Sequence, residues 1–282
     1  MTDSAQFDQD AFREFERSAY SRVASTYDLA TERVTSQVND PILDAVGATQ
    51  GTRLLDVACG PGRLSAAASR RGCLVTGIDL VEPMVAIARQ RCEQGVFHTG
   101  DAERLPFEAD RFDAVVCSLG VLHFADPDRA IGEARRVLVP GGRYAFTSWV
   151  PPARNPFFGL VLGAIQKHGS MDLPLPPGPP LFRFGERAEC ERTLRACGFE
   201  VVSTRDVTLT WEFDSPEQVV PYVTSSSGRL APLMALQKDE DRRSIERAII
   251  DGARAYSDGK RVSIPAPVVL AVARKPMRTV VA

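Results

Sequence analysis

Histidine is scarce: three occur in 282 residues, His98, His123 and His168. Any imidazole chemistry therefore has few candidates. Metal-site spacing is missing too. The six cysteines, Cys59, Cys73, Cys92, Cys117, Cys190 and Cys197, form no C-x-x-C pair and no Cys/His cluster suited to zinc. No metal is expected. Cys73 and Cys117 sit in or beside apolar runs, which predicts small buried thiols and a reducing compartment. No apolar run approaches the roughly 18 residues that a membrane-spanning helix needs. The acidic, mixed N-terminus has no apolar signal core, and a cytoplasmic location is the resulting expectation. Charge of one sign is lacking as well. Lys and Arg total 34 against 36 Asp and Glu, a net charge of −2. That supplies no broad cationic field for nucleic acid or anionic lipid. The arginine pairs at 70–71, 135–136 and 242–243 read as solvated helix surface. A small-molecule substrate is the partner expected, with the chain a monomer or a homodimer.

A 44% hydrophobic content with 25% charged residues fits a globular chain able to bury a sizeable core. Residues 53–64, RLLDVACGPGRL, organise the rest. A short apolar run leads into a turn carrying Gly60 and Gly62, and a helix-compatible run follows. Bare backbone at a strand-to-helix turn lets a ligand lie close, and the helix N-terminus adds free N–H donors. A dinucleotide fingerprint would need a third glycine, but Ser65 stands there, so an oxidoreductase reading fails. The next apolar run, 74–80, ends in Asp79, roughly 20 residues past the turn. An acid so placed can accept hydrogen bonds from both ribose hydroxyls.

Further segments follow in a fixed order: GDAERLPF at 100–107, FDAVVCS at 112–118, SLGVLHF at 118–124 and RRVLVPGGRYAFTSW at 135–149. With the acid-x-x-small-Gly-x-Gly turn, this set resembles the class I S-adenosylmethionine (SAM) methyltransferases. The likeness covers about residues 20–150 and is closest to the ubiquinone/menaquinone-biosynthesis type, methyltransferase type 11. The resemblance implies an α/β fold, a doubly wound Rossmann-like sheet of seven strands, mostly parallel with the last strand antiparallel. It implies SAM as cofactor and S-adenosylhomocysteine as product. By this likeness Asp56 helps hold the amino end of SAM, and Gly60 and Gly62 allow close approach. Asp79 holds the ribose, Leu80 flanks the adenine, Asp101 and Ala102 read the adenine's edge, and Met84 is a further cofactor-binding position. Ser118 falls at the end of the fourth strand. Ala58 stands where glycine is frequent, which implies an ordinary backbone there. In the same family an aromatic such as Tyr27 closes over the cofactor.

Alternation of strands and helices predicts a SAM-binding core over 41–150, preceded by a helical segment, 1–40, that covers the cofactor. Residues 1–10 are expected to fray. Beyond 150 the character changes. Five prolines between 174 and 180 exclude helix or central strand. Residues 151–184 and 212–264 are expected to form a cap over the substrate. Residues 185–211 and 265–275 complete the sheet, with the closing strands at 199–210 and 267–273, and 276–282 form a tail. One long helix is predicted over 230–256.

Methyl transfer is an in-line displacement on an already activated carbon. Holding the reactants in line is worth ~7–11 kcal/mol, and a base helps where the acceptor must lose a proton. His123, a few residues past the fourth strand, is the candidate base. His168 is a weaker second candidate, and His98 reads as structural. The expected activity is methylation of an O, C or N atom in a small, fairly apolar molecule such as a quinone precursor or polyketide, suggested by the Phe-, Leu- and Pro-rich cap. A SAM-binding cyclase and a non-catalytic SAM-binding protein are the alternatives. The sequence has no N-P-P-Y run or Pro-Cys pair of the kind that would mark a nucleic-acid methylase.

Overall fold

The computed structural model describes residues 7–278 except Ser226, without the side chains of Leu29 and Ala30. In chain order the elements are α1 (Gln9–Thr35), α2 (Asn39–Val46), β1 (Arg53–Val57), α3 (Arg63–Arg70), β2 (Leu74–Asp79), α4 (Glu82–Arg91), β3 (Val96–Thr99), β4 (Phe112–Cys117), α5 (Pro127–Val137), β5 (Leu138–Trp149), α6 (Pro156–His168), α7 (Arg187–Ala196), β6 (Glu200–Phe213), α8 (Val219–Ser225), α9 (Leu230–Ala235), α10 (Asp239–Ala253) and β7 (Val262–Arg274). Residues 1–6 and 279–282, which hold most of the expected fraying and part of the expected tail, lie outside the described residues. Several helix starts follow from local chemistry. Asp8 accepts from the N–H groups of Asp10 and Ala11, Asp126 from Arg129, and Asn155 from Phe158. Pro127 and Pro156 follow the last two caps, where a missing N–H costs nothing.

The strands form one sheet in the order β3-β2-β1-β4-β5-β7-β6. β1 through β5 pair in parallel, and β7 runs antiparallel to both of its neighbours, β5 and β6. The seven-stranded α/β sheet is thus as expected. β6 keeps the direction of β5, so β7 alone is reversed. β1 and β4 are almost wholly buried, as strands covered on both faces must be. The strand order changes direction between β1 and β4, where open α/β sheets leave a crevice at the strands' carboxyl ends.

Trp149, the last residue of β5, pairs with Val268, and Val207 of β6 pairs with the same residue from the other side. Residues 208–213 and 262–267 therefore project past β5 as a two-stranded ribbon. Phe157, Val161 and Ile165 of α6 pack on Trp211, Phe213 and Ile264 of this ribbon, with Val223 of α8, Met234 of α9 and Ile249 of α10 in the same cluster. This places a helical layer beyond the carboxyl ends of the sheet.

The single helix predicted over 230–256 is instead two, α9 and α10. The break is at Gln237, buried at 6% exposure. Its Oε1 accepts from Ser170 N (2.9 Å) and its Nε2 donates to Ser170 O (2.8 Å). Satisfying the end of α6 in this way takes precedence over helical continuity. The proline-rich stretch is irregular, as expected. Leu173, Leu175 and Leu181 rest against the helical layer, and Gly178 lies so close to Phe12 of α1 that a Cβ would stand 2.1 Å from its ring.

Candidate functional site

Three cavities open at the carboxyl ends of β1, β2 and β4. The first spans about 790 Å³, counted out to solvent. Of the residues expected at a cofactor, Tyr27, Ala58, Gly60, Asp79, Leu80, Met84, Asp101, Ala102 and Ser118 all line it, as does His123. The second, about 620 Å³, is walled by Tyr20, Trp149, Phe158, Trp211 and Tyr222, with Arg229 at its edge. The third, about 490 Å³, reaches Asp56 and Arg63. Tyr27 and Leu119 line all three, so the spaces meet there.

Asp79 ends β2. Its Oδ2 accepts from Gly60 N (2.7 Å) and its Oδ1 from Val81 N (2.9 Å). Oδ2 is thus fixed to the glycine turn and Oδ1 to the backbone just after β2, and each keeps a lone pair free. Burial pushes this carboxyl above the ordinary range, partly countered by the N–H groups of Val81 and Gly60 and by His123. A Cβ built on Gly60 meets nothing within 4 Å, so this backbone faces open space.

Two other expected positions behave differently. Gly62 lines none of these three cavities, and it packs α3 against Ala88 of α4. Asp56 is 1% exposed, holds Ser65 Oγ at 2.7 Å, and reaches only the third cavity. Burial pushes its carboxyl up to about 7, against the pull of the Ser65 hydrogen bond. The sign follows from proton linkage. Between its unfolded pKa near 4 and its folded pKa near 7, this group binds more proton when folded. Its contribution is greatest below about pH 4 and is lost as pH rises toward 7, by on the order of 4 kcal/mol at most. Asp56→Asn should therefore gain stability relative to wild type as pH rises from 5 to 7.5 in urea melts. Parallel pH slopes for the two proteins would refute the assignment.

The backbone at Ala58 is not ordinary, contrary to expectation. It has φ +55°, and Leu119, in the loop after β4, has φ +56°. Both residues hold the sparsely populated left-handed conformation beside the meeting point of the cavities. Strain of this kind concentrates at functional sites. Thr147 Oγ1, on β5, accepts from Leu119 N (3.0 Å) and pins that loop.

Beyond Tyr27, sequence reasoning missed the residues that α1 contributes: Arg13, Glu16 and Tyr20. Glu16 is 3% exposed and lies beside His123, with Oε2 2.8 Å from Nδ1. Tyr20 Oη lies 3.2 Å from the other ring nitrogen, Nε2. Arg229 Nε, from the helical layer, is 2.6 Å from Glu16 Oε1. Arg13 pairs with buried Glu103 and stands 3.3 Å from Asp101 Oδ2. Asp101 therefore reaches the first cavity with both oxygens engaged, Oδ2 by Arg13 and Oδ1 by Glu103 N at 2.9 Å. Asp28 pairs with Arg63 and Arg91, both at 2.6–2.7 Å. The available signal was one of type and spacing: Arg13, Glu16, Tyr20 and Tyr27 recur along one helix face, and polar groups on a buried face need partners.

His98 packs edge-on against Phe107 at 5.4 Å, and His168 ends α6 away from all three cavities. Among the described residues no group of three or more His, Cys, Asp or Glu side chains is placed to hold a metal ion. Among the same residues no helix is long and apolar enough to cross a membrane.

A family model for a methyltransferase domain matches residues 55–146. An uncharacterised protein of Mycobacterium tuberculosis is 29% identical over 247 residues, covering 83% of this chain and 86% of that protein. The demethylmenaquinone methyltransferase of Thermus thermophilus is 44% identical over 115 residues, covering 39% of this chain and 52% of the Thermus protein. This second match thus spans about half of that relative. Among solved structures, Haemonchus contortus phosphoethanolamine N-methyltransferase 2, in complex with phosphomonomethylethanolamine and S-adenosylhomocysteine, superposes with a TM-score of 0.58. It is 19% identical, with 94% of this chain and 60% of the Haemonchus chain covered, a likeness of fold alone.

Proposed function

Because the chain belongs to the class I S-adenosylmethionine-dependent methyltransferases, we propose that it transfers a methyl group from SAM to an O, C or N atom of a small, largely apolar molecule. The observation that carries this reading is the junction of three cavities at Tyr27 and Leu119. Two of them share the glycine turn, Ala58 and Ser118, and suit one elongated cofactor. The other is walled by aromatic rings and suits an apolar acceptor.

The residues present fit SAM. Asp79 has oriented carboxylate oxygens with spare lone pairs for a ribose diol, and the bare backbone of Gly60 faces open space where a side chain would intrude. Leu80, Met84 and Ala102 offer an apolar slot for the adenine. Asp101 would share Oδ2 between Arg13 and the adenine amine, with Oδ1 held by Glu103 N. Asp56 stands at the far end, in the third cavity, and would meet the amino-acid part there. Tyr27 and Tyr20, packed edge to face at 5.5 Å, present ring surfaces that favour a sulfonium cation. When bound, SAM supplies an electrophilic methyl group, so the chain's own task is to align the acceptor, exclude water and take up a proton. His123 is the group assigned to that proton.

The test uses methyl-tritiated SAM with the purified full chain and a panel of hydroquinones, phenols and hydroxylated polyketides. Label appearing in an extracted product of correspondingly increased mass supports the reading. Tight SAM binding with conversion of an added substrate but no label transfer would replace it with a SAM-binding, non-methylating enzyme.

A further inference from the structure

We propose that Glu16, Tyr20 and Arg229 join His123 in one proton-accepting array, in which α1 supplies the positioning carboxylate and the relay hydroxyl. The inference rests on the reading of this site as a methyl-transfer centre. Its chemistry comes from four groups brought together by three separate parts of the chain.

Glu16 faces Nδ1 of His123 at 2.8 Å. A carboxylate at that distance favours a proton on Nδ1 and leaves Nε2 as the acceptor. Tyr20 Oη lies 3.2 Å from that acceptor, so its hydroxyl donates to Nε2. The Tyr20 and His123 rings also pack edge to face at 4.9 Å, which fixes their mutual orientation. Tyr20 and His123 each line both the first and the second cavity. Burial holds the Tyr20 phenol well above its ordinary pKa, so it stays a neutral hydroxyl. Glu16 is only 3% exposed and would be costly without a counter-charge. Arg229 supplies one at 2.6 Å and is itself held over the Phe12 ring at 4.9 Å.

For an acceptor hydroxyl the step balances as follows. The acceptor O–H bond breaks and its proton passes to Tyr20 Oη. The Tyr20 proton passes in turn to His123 Nε2, and Glu16 and Nδ1–H steady the resulting imidazolium. The acceptor oxygen keeps the electron pair with which it would take the methyl group, whose bond to sulfur would break with its pair left on the departing thioether. Glu16 is thus a positioning residue, and Arg229 couples it to the helical layer that covers the acceptor. The charged and titratable groups facing this centre are Glu16 and Tyr20 from α1, Arg229 from the loop before α9, and Asp79 from β2, which the charge on His123 also affects. Any pH profile is theirs jointly.

The test reads the tautomer before it reads activity. Long-range proton–nitrogen correlation spectra of full-length protein labelled with ¹⁵N-histidine contain three ring systems, and His123→Asn identifies one of them. Wild type should show the proton of His123 on Nδ1. Glu16→Gln should move the ring toward the Nε2–H form. Tyr20→Phe should keep Nδ1–H and shift the Nε2 resonance toward that of a free acceptor. With a methylated acceptor in hand, Glu16→Gln should lower kcat by about 10²-fold or more and displace its pH profile, with the SAM Kd near the wild-type value. A wild-type Nε2–H tautomer, or spectra unchanged by Glu16→Gln, overturns the array. If wild type binds neither SAM nor S-adenosylhomocysteine in calorimetry, the methyl-transfer reading fails, and the array falls with it as a catalytic device whatever the tautomer.

Discussion

Asp79→Ala should weaken SAM binding by about 10²–10⁴-fold, the effect of losing two hydrogen bonds to a charged acceptor at roughly 1.5–3 kcal/mol each. The geometry behind this estimate is specific. Gly60 N and Val81 N each hold one oxygen of the carboxylate, so both oxygens are aimed before any ligand arrives. Preorganisation of this kind spares the ligand the cost of ordering the group. The same two bonds complicate the variant, because alanine leaves two enclosed N–H groups without their acceptor. Asp79→Asn separates the effects, since its amide oxygen still serves one N–H group while its NH₂ offers no acceptor. It should melt above Asp79→Ala, because one N–H group rather than two lacks an acceptor, and bind SAM about 10-fold or more weakly than wild type, the loss of one such bond. Calorimetric titration of the three proteins with SAM and with S-adenosylhomocysteine decides. A folded Asp79→Ala protein with wild-type affinity would remove Asp79 from the site and leave the first cavity without its main polar anchor.

Much of this site was legible from the first half of the sequence because its information is local. A strand, a glycine turn and a helix start lie within twelve residues, and the acids Asp79 and Asp101 close the two strands that follow. Order along the chain becomes order along the crevice in a doubly wound sheet, so Asp79, Leu80, Met84, Asp101 and Ser118 line one cavity. The unread part is long-range. Glu16 and His123 are 107 residues apart, and Arg229 comes from a helical layer whose path no local pattern specifies. On the sequence alone, Glu16 is one acid among many on a charged helix, and only its burial at 3% exposure reveals a need for partners. The split between α9 and α10 has the same origin, since Gln237 answers to Ser170, 67 residues away. Ala58 shows a different limit. Its left-handed φ of +55° is imposed by the turn, and an alanine carries no sign of it, whereas a glycine there would have.

The two glycines of the turn should respond to the same substitution differently, Gly62 mainly in stability and Gly60 mainly in SAM binding. Gly62 has φ +77°, and a Cβ on it would lie 2.8 Å from Ala88 Cβ and 2.9 Å from Ala88 Cα. Neither neighbour is the end of a flexible chain, so α3 and α4 must separate or the turn must distort. The left-handed backbone adds roughly 1–2 kcal/mol and the overpacking ~1–3 kcal/mol. Gly62→Ala should therefore lose about 2–5 kcal/mol, a fall in Tm on the order of 10 °C for a chain of this size. Gly60 has φ +51° with nothing within 4 Å of its added Cβ. Gly60→Ala carries only the backbone term, roughly 1–2 kcal/mol, but its methyl group enters the open space at the glycine turn where the cofactor is proposed to lie. Its signature should be a modest drop in Tm with SAM binding weakened about 10-fold or more, since closing an evolved backbone approach costs at least the contacts displaced. Thermal melts and SAM titrations of both variants form the comparison. If Gly62→Ala proved the better folded of the two, the contact with Ala88 would not be holding the turn. If Gly60→Ala bound SAM as wild type does, the open backbone at Gly60 would not be where the cofactor lies.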